Sequence, residues 1–351
     1  MRILIYRLGS LGDTVVALPC FHLIARTFPD AERYVLTNFP TQAKEAPIES
    51  ILGQSGLAHG YFSYPLHTRH PKELMKLRSE IAAWSPNVLV YLTPARGILA
   101  AFRDLLFFKA CGIRKIIGVP LTKDLQKHIY DPDKDIFEPE ASRLARCISS
   151  LGDAELNDDV SWGLLLTPKE EHNADSALSG WPVREKFITC CAGTKMPSKD
   201  WGGENWTKLL SCLSEKTIGT GIAFIGSLDE SGRCEILQKQ WKGPTINLCG
   251  MLTPRESAVV IKNSSLFLGH DSGPMHLANA VGTPIVAVFS ARNKPAVWFP
   301  HGYEKRHRVI YHKTECYGCN LVVCTKNKKK CIASITVKEV LEAVNSLQIK
   351  F

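Results

Sequence analysis

The chain has 351 residues, 45% of them hydrophobic and 22% charged, and a formal net charge of +9. That length suits two domains of roughly 150 residues better than one core, and the composition excludes a disordered or fibrous chain. The modest positive charge favours an anionic partner: a nucleotide, a phosphorylated glycan, an acidic membrane surface or nucleic acid. No nucleic-acid-binding module is present.

The opening run Met1-Arg2-Ile3-Leu4-Ile5-Tyr6-Arg7 is broken by Arg7 and followed by Gly9, Gly12 and Asp13, so it does not read as a secretory leader. No segment offers the roughly 20 uncharged apolar residues of a membrane span. The expectation is a cytoplasmic protein. Short β-branched runs alternate with helical patterns, the signature of parallel α/β folding. Strands are predicted at 2–7, 33–37, 87–92 and 115–119, and helices at 14–27 and 72–84. A polar stretch around 153–159 interrupts the rhythm. Strands then recur at 187–192, 221–226, 245–248, 265–269 and 285–289. This pattern predicts an α/β fold of two doubly wound domains facing each other across a cleft, with a boundary between about 155 and 170. Ligands of such folds bind just beyond the carboxyl ends of the strands.

The first strand runs into Arg7-Leu8-Gly9-Ser10-Leu11-Gly12-Asp13-Thr14. Two glycines permit a tight turn, but the three-glycine dinucleotide fingerprint is absent. Asp13 reads as a general base projecting from a strand–helix turn, or as a plain helix cap. In the next segment the stripe Ile98, Leu99, Phe102, Leu105 and Leu106 recurs at helical spacing and reads as a packed core face ahead of a lipid-facing surface. The positive side chains Arg69, His70, Lys72, Arg96 and Arg103 accompany it.

In the second half, Gly193-Thr194-Lys195 through Lys199-Asp200-Trp201 follows a predicted strand, where a lysine can neutralise phosphate oxygens. Gly226-Ser227-Leu228-Asp229-Glu230 follows another, where a carboxylate can bind hydroxyls or cap a helix. The strongest local signal is Gly269-His270-Asp271-Ser272-Gly273-Pro274-Met275-His276-Leu277-Ala278. Pro274 opens a helix and Gly282 ends it. The bare amides at its start form an anion site suited to a diphosphate, to which Ser272 and His276 can add hydrogen bonds; His276 can equally be structural. Two basic stretches, 305–308 and 326–330, read as solvated surface. Twelve scattered cysteines do not form a disulfide framework. Cys316, Cys319, Cys324 and Cys331 supply four thiols in sixteen residues, enough for a structural zinc or iron site, or simply a packed set of reduced thiols.

Taken together, Gly9-Ser10-Leu11-Gly12-Asp13 with Pro19, Lys199-Asp200-Trp201 with Trp206, Gly226-Ser227, the Asp271–Ala278 block and the C-terminal cysteines resemble glycosyltransferase family 9, the ADP-heptose:lipopolysaccharide heptosyltransferase family. The resemblance implies a GT-B architecture of two Rossmann-like domains. Residues 1–160 would bind the acceptor, 161–335 the nucleotide-sugar donor, and 336–351 would form a C-terminal helix packing back toward the first domain. It implies inverting sugar transfer with no cofactor required, from a nucleotide diphosphate donor (ADP-heptose) to a lipid-linked or phosphorylated glycan, with at most peripheral membrane association at the inner face of the inner membrane. Asp13 would be the catalytic base. Lys199, Glu230, Asp271, Ser272, Gly273, Pro274, Met275 and His276 would hold the donor, and Gly9, Ser10, Gly12 and Thr14 would shape the acceptor-side turn. Asp229 is equally close in register to Glu230. Two other functions fit the same fold: a nucleotide-sugar epimerase, and a non-catalytic nucleotide-sugar-binding protein.

Overall fold

The computed structural model describes residues 1–38, 46–64, 70–182, 186–325 and 327–349. The chain divides into two compact units, Met1–Leu165 and Leu166–Phe351. Each is organised around its own parallel sheet.

The first unit holds β1 (Arg2–Tyr6), β2 (Glu32–Thr37), β3 (Gly60–Ser63), β4 (Val88–Tyr91) and β5 (Lys115–Ile117), in the order β3-β2-β1-β4-β5. Ile3, Leu4, Ile5 and Tyr6 are all buried, as a central parallel strand covered on both faces requires. Its helices are α1 (Leu11–Val16), α2 (Leu18–Thr27), α3 (Glu49–Leu52), α4 (Pro71–Trp84), α5 (Ile98–Ala110) and α6 (Glu140–Cys147). The single helix predicted over 14–27 is broken at Ala17, because Pro19 cannot donate to a continuing ladder and sits instead in the first turn of α2. A short hairpin, β6 (Tyr130–Asp131) with β7 (Ile136–Phe137), precedes α6.

The second unit holds β8 (Phe187–Cys191), β9 (Gly221–Phe224), β10 (Thr245–Asn247), β11 (Phe267–His270), β12 (Ile285–Phe289) and β13 (His307–Tyr311), ordered β10-β9-β8-β11-β12-β13 and parallel throughout. Around the sheet lie α7 (Pro168–Ala177), α8 (Gly203–Lys216), α9 (Ser231–Gln238), α10 (Pro254–Lys262), α11 (Gly273–Ala280), α12 (Lys330–Ala333) and α13 (Val337–Ser346). The buried residues Trp206, Leu209, Leu210 and Leu213 of α8 join Ile188, Cys190, Leu268 and Val286 in one core. Val340 and Val344 of the C-terminal helix α13 are buried in this second core.

Two readings of the sequence are corrected here. The basic stretch 305–308 is not wholly solvated: His307 is fully buried and opens the edge strand β13, pairing with Ile285. The apolar stripe of α5 is not a packed face. Leu99, Phe102 and Leu106 are 86%, 50% and 54% exposed, while the helix buries Ala101, Asp104 and Phe108.

A buried ion pair fixes the loop after β4. Arg143 donates to both oxygens of Glu140, at 2.6 and 2.7 Å, and to the carbonyls of Thr93 and Leu125. Burial alone would raise the Glu140 pKa; hydrogen bonds from Arg143 and His128 override it and hold the carboxyl at about 2. Arg143→Met strands a buried carboxylate, and the expected cost is about 3–5 kcal/mol in a urea titration. Because the folded pKa is depressed, the pair's contribution in the wild type is complete above pH 4.5 and is lost as pH falls through about 2. The variant's stability therefore has a flatter acid limb than the wild type's.

Candidate functional site

In each sheet the chain order reverses beside the first strand of the unit, between β1 and β4 and between β8 and β11. Loops leaving the carboxyl ends of such strand pairs turn to opposite faces and leave a crevice, the usual ligand position in doubly wound sheets. The turn bearing Asp13 follows β1, and Lys199 and the Asp271–His276 segment follow β8 and β11, at these two reversals.

In the second unit, His270 ends β11 and joins three loops. Trp201 donates its backbone N–H to Nε2 at 3.1 Å, and the Trp206 indole N–H reaches the same nitrogen at 3.3 Å. A nitrogen receiving two donors carries no proton, so the proton sits on Nδ1, which faces the Gly193 carbonyl at 3.3 Å. Burial lowers the His270 pKa from 6.5 to about 4, in keeping with a neutral ring. The loops after β8 and β11 and the turn leading into α8 are thereby tied to one side chain. The sequence quotes His270 inside the strongest motif but offers no sign of this role.

Next to it, Asp271 is almost fully buried. Lys199 Nζ lies 2.7 Å from its Oδ2 and donates to its backbone carbonyl at 3.0 Å, and the Asn293 side chain donates to Oδ2 at 2.9 Å. His276 Nε2 stands 4.0 Å from the other oxygen. The segment beyond forms α11 with Pro274 in its first turn, and Ser272 makes no side-chain cap bond to it. The first-turn amides therefore donate to no side chain of their own N-cap residue. Gly273 adds no side chain there, and Gly282 follows the helix with φ +76°, a conformation that favours glycine. The Met275 side chain is fully buried, so it belongs to the core rather than to a ligand surface. Asn293, which the sequence analysis does not pick out, completes the shell of Asp271.

Glu230 is set between the loops after β8 and β9. Its Oε2 accepts from the Ser227 N–H at 2.8 Å. A Cβ placed on Gly193 would lie 1.7 Å from Oε1, and one on Gly226 would lie 2.3 Å from Oε2. Both positions need glycine because the carboxylate occupies the space. Asp229 is exposed, so between the two acids in register it is Glu230 that turns inward.

In the first unit, Gly9 adopts φ +140° and donates its N–H to the Asn38 side chain at 2.9 Å. Asp13 Oδ2 accepts from the Ser10 N–H at 2.6 Å and from the Ser10 hydroxyl at 2.7 Å. This is the capping arrangement that the residue type allows, and both bonds fall on one oxygen. A Cβ on Gly9 would come within 2.5 Å of the Asp13 side chain, so the turn closes directly over the carboxylate. Gly12 is buried, and Thr14 donates its hydroxyl to the Ser10 carbonyl. Arg7, wholly buried, donates to the carbonyls of Leu92 and Asp13 and so ties the turn after β1 to the end of β4. Burial lowers the pKa of its guanidinium, and the charge of Asp13 opposes that shift.

Cys316, Cys319, Cys324 and Cys331 read from the sequence as a structural metal site or as packed reduced thiols, and three of them meet protein partners. Cys316 accepts from the Asn327 amide at 3.1 Å, Cys324 accepts from the Lys329 N–H at 3.3 Å, and the Cys331 thiol lies 3.9 Å from the Ser290 hydroxyl. Among the described residues no group of three or more His, Cys, Asp or Glu is placed to hold a metal ion. Of the first-half cations, Arg69 lies outside the described residues.

The sequence model of glycosyltransferase family 9 (heptosyltransferase) matches residues 125–330. The lipooligosaccharide heptosyltransferase 2 of Campylobacter jejuni is 24% identical over 361 aligned positions, covering 99% of this chain and 98% of that protein. The crystal structure of a glycosyl transferase family 9 protein from Veillonella parvula superposes with a TM-score of 0.73 at 17% identity, covering 99% of this chain and 96% of that one. Escherichia coli heptosyltransferase WaaC with ADP-2-deoxy-2-fluoro heptose gives 0.60 at 16% identity, covering 99% of both chains. These likenesses assign the α/β fold of two Rossmann-like domains to the GT-B class.

Two outcomes are expected of this geometry. Since the folded pKa of His270 lies below its ordinary 6.5, stability present above pH 6.5 is lost as pH falls through about 4. The expected loss is about 3 kcal/mol across that window; urea midpoints measured from pH 7 to 4 should show it, and His270→Gln should flatten it. Gly193→Ala should displace Glu230 and lower stability by about 1–3 kcal/mol, an effect that the double variant Gly193→Ala/Glu230→Ala relieves.

Proposed function

This chain belongs to glycosyltransferase family 9, and we propose that it transfers heptose from ADP-heptose to a hydroxyl of a lipopolysaccharide core or related phosphorylated glycan. It is a glycosyltransferase; the sugar, nucleotide and acceptor are those by which its relatives are named. The observation that carries the residue assignments is positional: a carboxylate-bearing turn occupies the strand reversal of the first sheet, and an uncapped helix start beside a lysine occupies that of the second.

We assign the donor to the second unit, approximately residues 161–335, and the acceptor to the first, approximately 1–160. The amides after Ser272 would receive the diphosphate, favoured by the positive end of α11. Lys199 places two contacts on Asp271, so the third ammonium proton remains for a phosphate oxygen. Asp271 then acts through Lys199, holding it in place. Glu230 keeps acceptor capacity for the hydroxyls of a ribose or sugar. Gly9, Ser10, Gly12 and Thr14 hold Asp13 in its turn.

In the reaction the acceptor oxygen bonds to the anomeric carbon while Asp13 takes its proton. The bond from that carbon to the diphosphate oxygen breaks, and its electron pair leaves with the nucleotide diphosphate, inverting the centre. The charge that grows on the leaving group meets the α11 amides and Lys199, so the step needs no metal or other cofactor. Among the described residues no helix is long and apolar enough to cross a membrane. We place the enzyme in the cytoplasm, meeting a lipid-linked acceptor at the inner face of the membrane. An epimerase or a non-catalytic binding protein would share this fold, and nothing in the site favours either.

The test has two arms. Asp13→Asn still accepts from Ser10 and should melt within a few degrees of the wild type, yet lose about 10²–10⁴ in kcat, the usual share of a general base. Wild-type kcat in that variant removes Asp13 from the chemistry. In a thermal-shift panel of ADP-, UDP-, GDP- and CDP-sugars, ADP-heptose should give the largest rise, and Lys199→Met should abolish it. A protein stabilised by no nucleotide sugar overturns the donor assignment.

A further inference from the structure

The cysteine-bearing segment 316–331 has no role in the chemistry assigned to Asp13 and Lys199, yet its backbone is bonded to both sides of the Lys199–Asp271 pair. On the lysine side the connection is Ser198, a buried residue. Its N–H donates to the Val322 carbonyl at 3.1 Å, and its hydroxyl donates to the Leu321 carbonyl at 2.7 Å. Farther along the segment, Lys329 Nζ donates to the carbonyl of Asp200 at 3.1 Å, so both chain neighbours of Lys199 are held. On the aspartate side the connection is Arg292, in the loop after β12. Its Nε donates to the same Leu321 carbonyl at 3.0 Å. One terminal nitrogen donates to the Asn320 carbonyl at 2.8 Å and the other to the side-chain oxygen of Asn293 at 3.1 Å. Asn293 then donates to Asp271 Oδ2 at 2.9 Å, the oxygen that Lys199 meets. The N–H groups of Gly318 and Asn320 donate to the carbonyls of Ala291 and Arg292 at 2.8 and 2.9 Å, which fixes the segment beside that loop.

We propose that Arg292 and Ser198 are positioning residues, which use the backbone of 320–322 as a common anchor to set where the Lys199 ammonium stands. The Leu321 carbonyl is the point where the two arms meet. A lysine ammonium is a point charge on a flexible stem, so its place is fixed by its loop and its counter-ion and not by its own shape. Ser198 holds the loop, and Arg292 holds the counter-ion through Asn293. The guanidinium serves here by its fork: three of its nitrogens reach three different acceptors, which a lysine at 292 cannot do. Removing either arm strips a donor from the Leu321 carbonyl and frees one partner of the pair to move, and small misplacements of a charged group at a reacting centre cost rate steeply. The effect on catalysis rests on the assignment of Lys199 to the donor diphosphate. The position of the lysine does not, and it is read first without any donor.

The experiment is pulsed acetylation of the full chain with acetic anhydride, with the rate at Lys199 followed by peptide mass spectrometry. In the wild type, pairing with Asp271 should make Lys199 slow against the exposed Lys338. Arg292→Met and Ser198→Ala should each raise the Lys199 rate by about tenfold, the equivalent of one lost hydrogen bond, and leave Lys338 unchanged. Arg292→Lys keeps the charge without the fork and should behave as Arg292→Met. With ADP-heptose as donor, the same variants should lower kcat/KM by about tenfold, yet add no further loss when combined with Lys199→Met. Should Arg292→Met melt early, Ser198→Ala, which removes a single oxygen, carries the reading. The proposal is overturned if Lys199 labels at the wild-type rate in folded Ser198→Ala and Arg292→Met, if Arg292→Lys matches the wild type, or if the losses of Arg292→Met and Lys199→Met in kcat/KM multiply. Faster labelling of Lys199 in the variants of a protein that turns over no ADP-heptose upholds the positioning and rejects the donor assignment.

Discussion

Two N–H donors converge on Nε2 of His270, and the organisation of the second unit's ligand edge follows from the neutral ring this demands. A charged imidazole would carry a proton on that nitrogen, directed at two other protons, and would lose its hold on both tryptophans. With the ring neutral, the loop after β8, the turn before α8 and the end of β11 share one hub. Lys199 is then delivered to Asp271 from a loop whose far end is fixed at Trp201. The buried pair is held at both ends, which compensates part of the cost of removing two charged groups from water.

The first unit reaches a similar end by different means. Arg7 reaches two backbone carbonyls, at Leu92 and Asp13, and so locks the turn after β1 to the strand that neighbours it. The turn is so tight that Gly9 cannot bear a side chain, because the Asp13 carboxylate already fills that space. The Arg143–Glu140 pair steadies the loop after β4 from below, through the Thr93 carbonyl. Rigid strands thus present short turns, and the turns are pinned by buried arginines rather than by their own length.

The strands of both sheets were legible because burial on two faces forces continuous β-branched and aliphatic runs, as in Ile3–Tyr6 and Ile285–Phe289. The two strands of these sheets that escaped have no run so wholly buried. Gly60–Ser63 and His307–Tyr311 are edge strands, only partly buried, with a glycine in one and a basic start to the other. The strand-end motifs were legible as positions, since turns there select glycine, proline and small polar residues. Their contacts were not. That Glu230 rather than Asp229 turns inward, or that Asp271 is enclosed by Lys199 and Asn293, depends on loops 22 to 72 residues apart in the chain. The cysteine spacing suggested a metal site for a like reason: spacing along a chain says how many thiols are available, and their partners in space decide whether they converge.

The α5 stripe shows the limit of periodicity most directly. A repeat of three and four residues states that one side of a helix is apolar, but not which side faces the sheet. In α5 the side facing the protein is chosen by Asp104 and Phe108. Asp104 accepts from the Tyr91 hydroxyl at 2.9 Å and from two arginines, and Phe108 packs edge-on against Tyr6 at 5.0 Å. Once a carboxylate has been fixed inward by that network, the residues at the opposite azimuth must face outward whatever their hydropathy. Leu99, Phe102 and Leu106 lie there. Their exposure is thus imposed by the polar anchor beneath the helix.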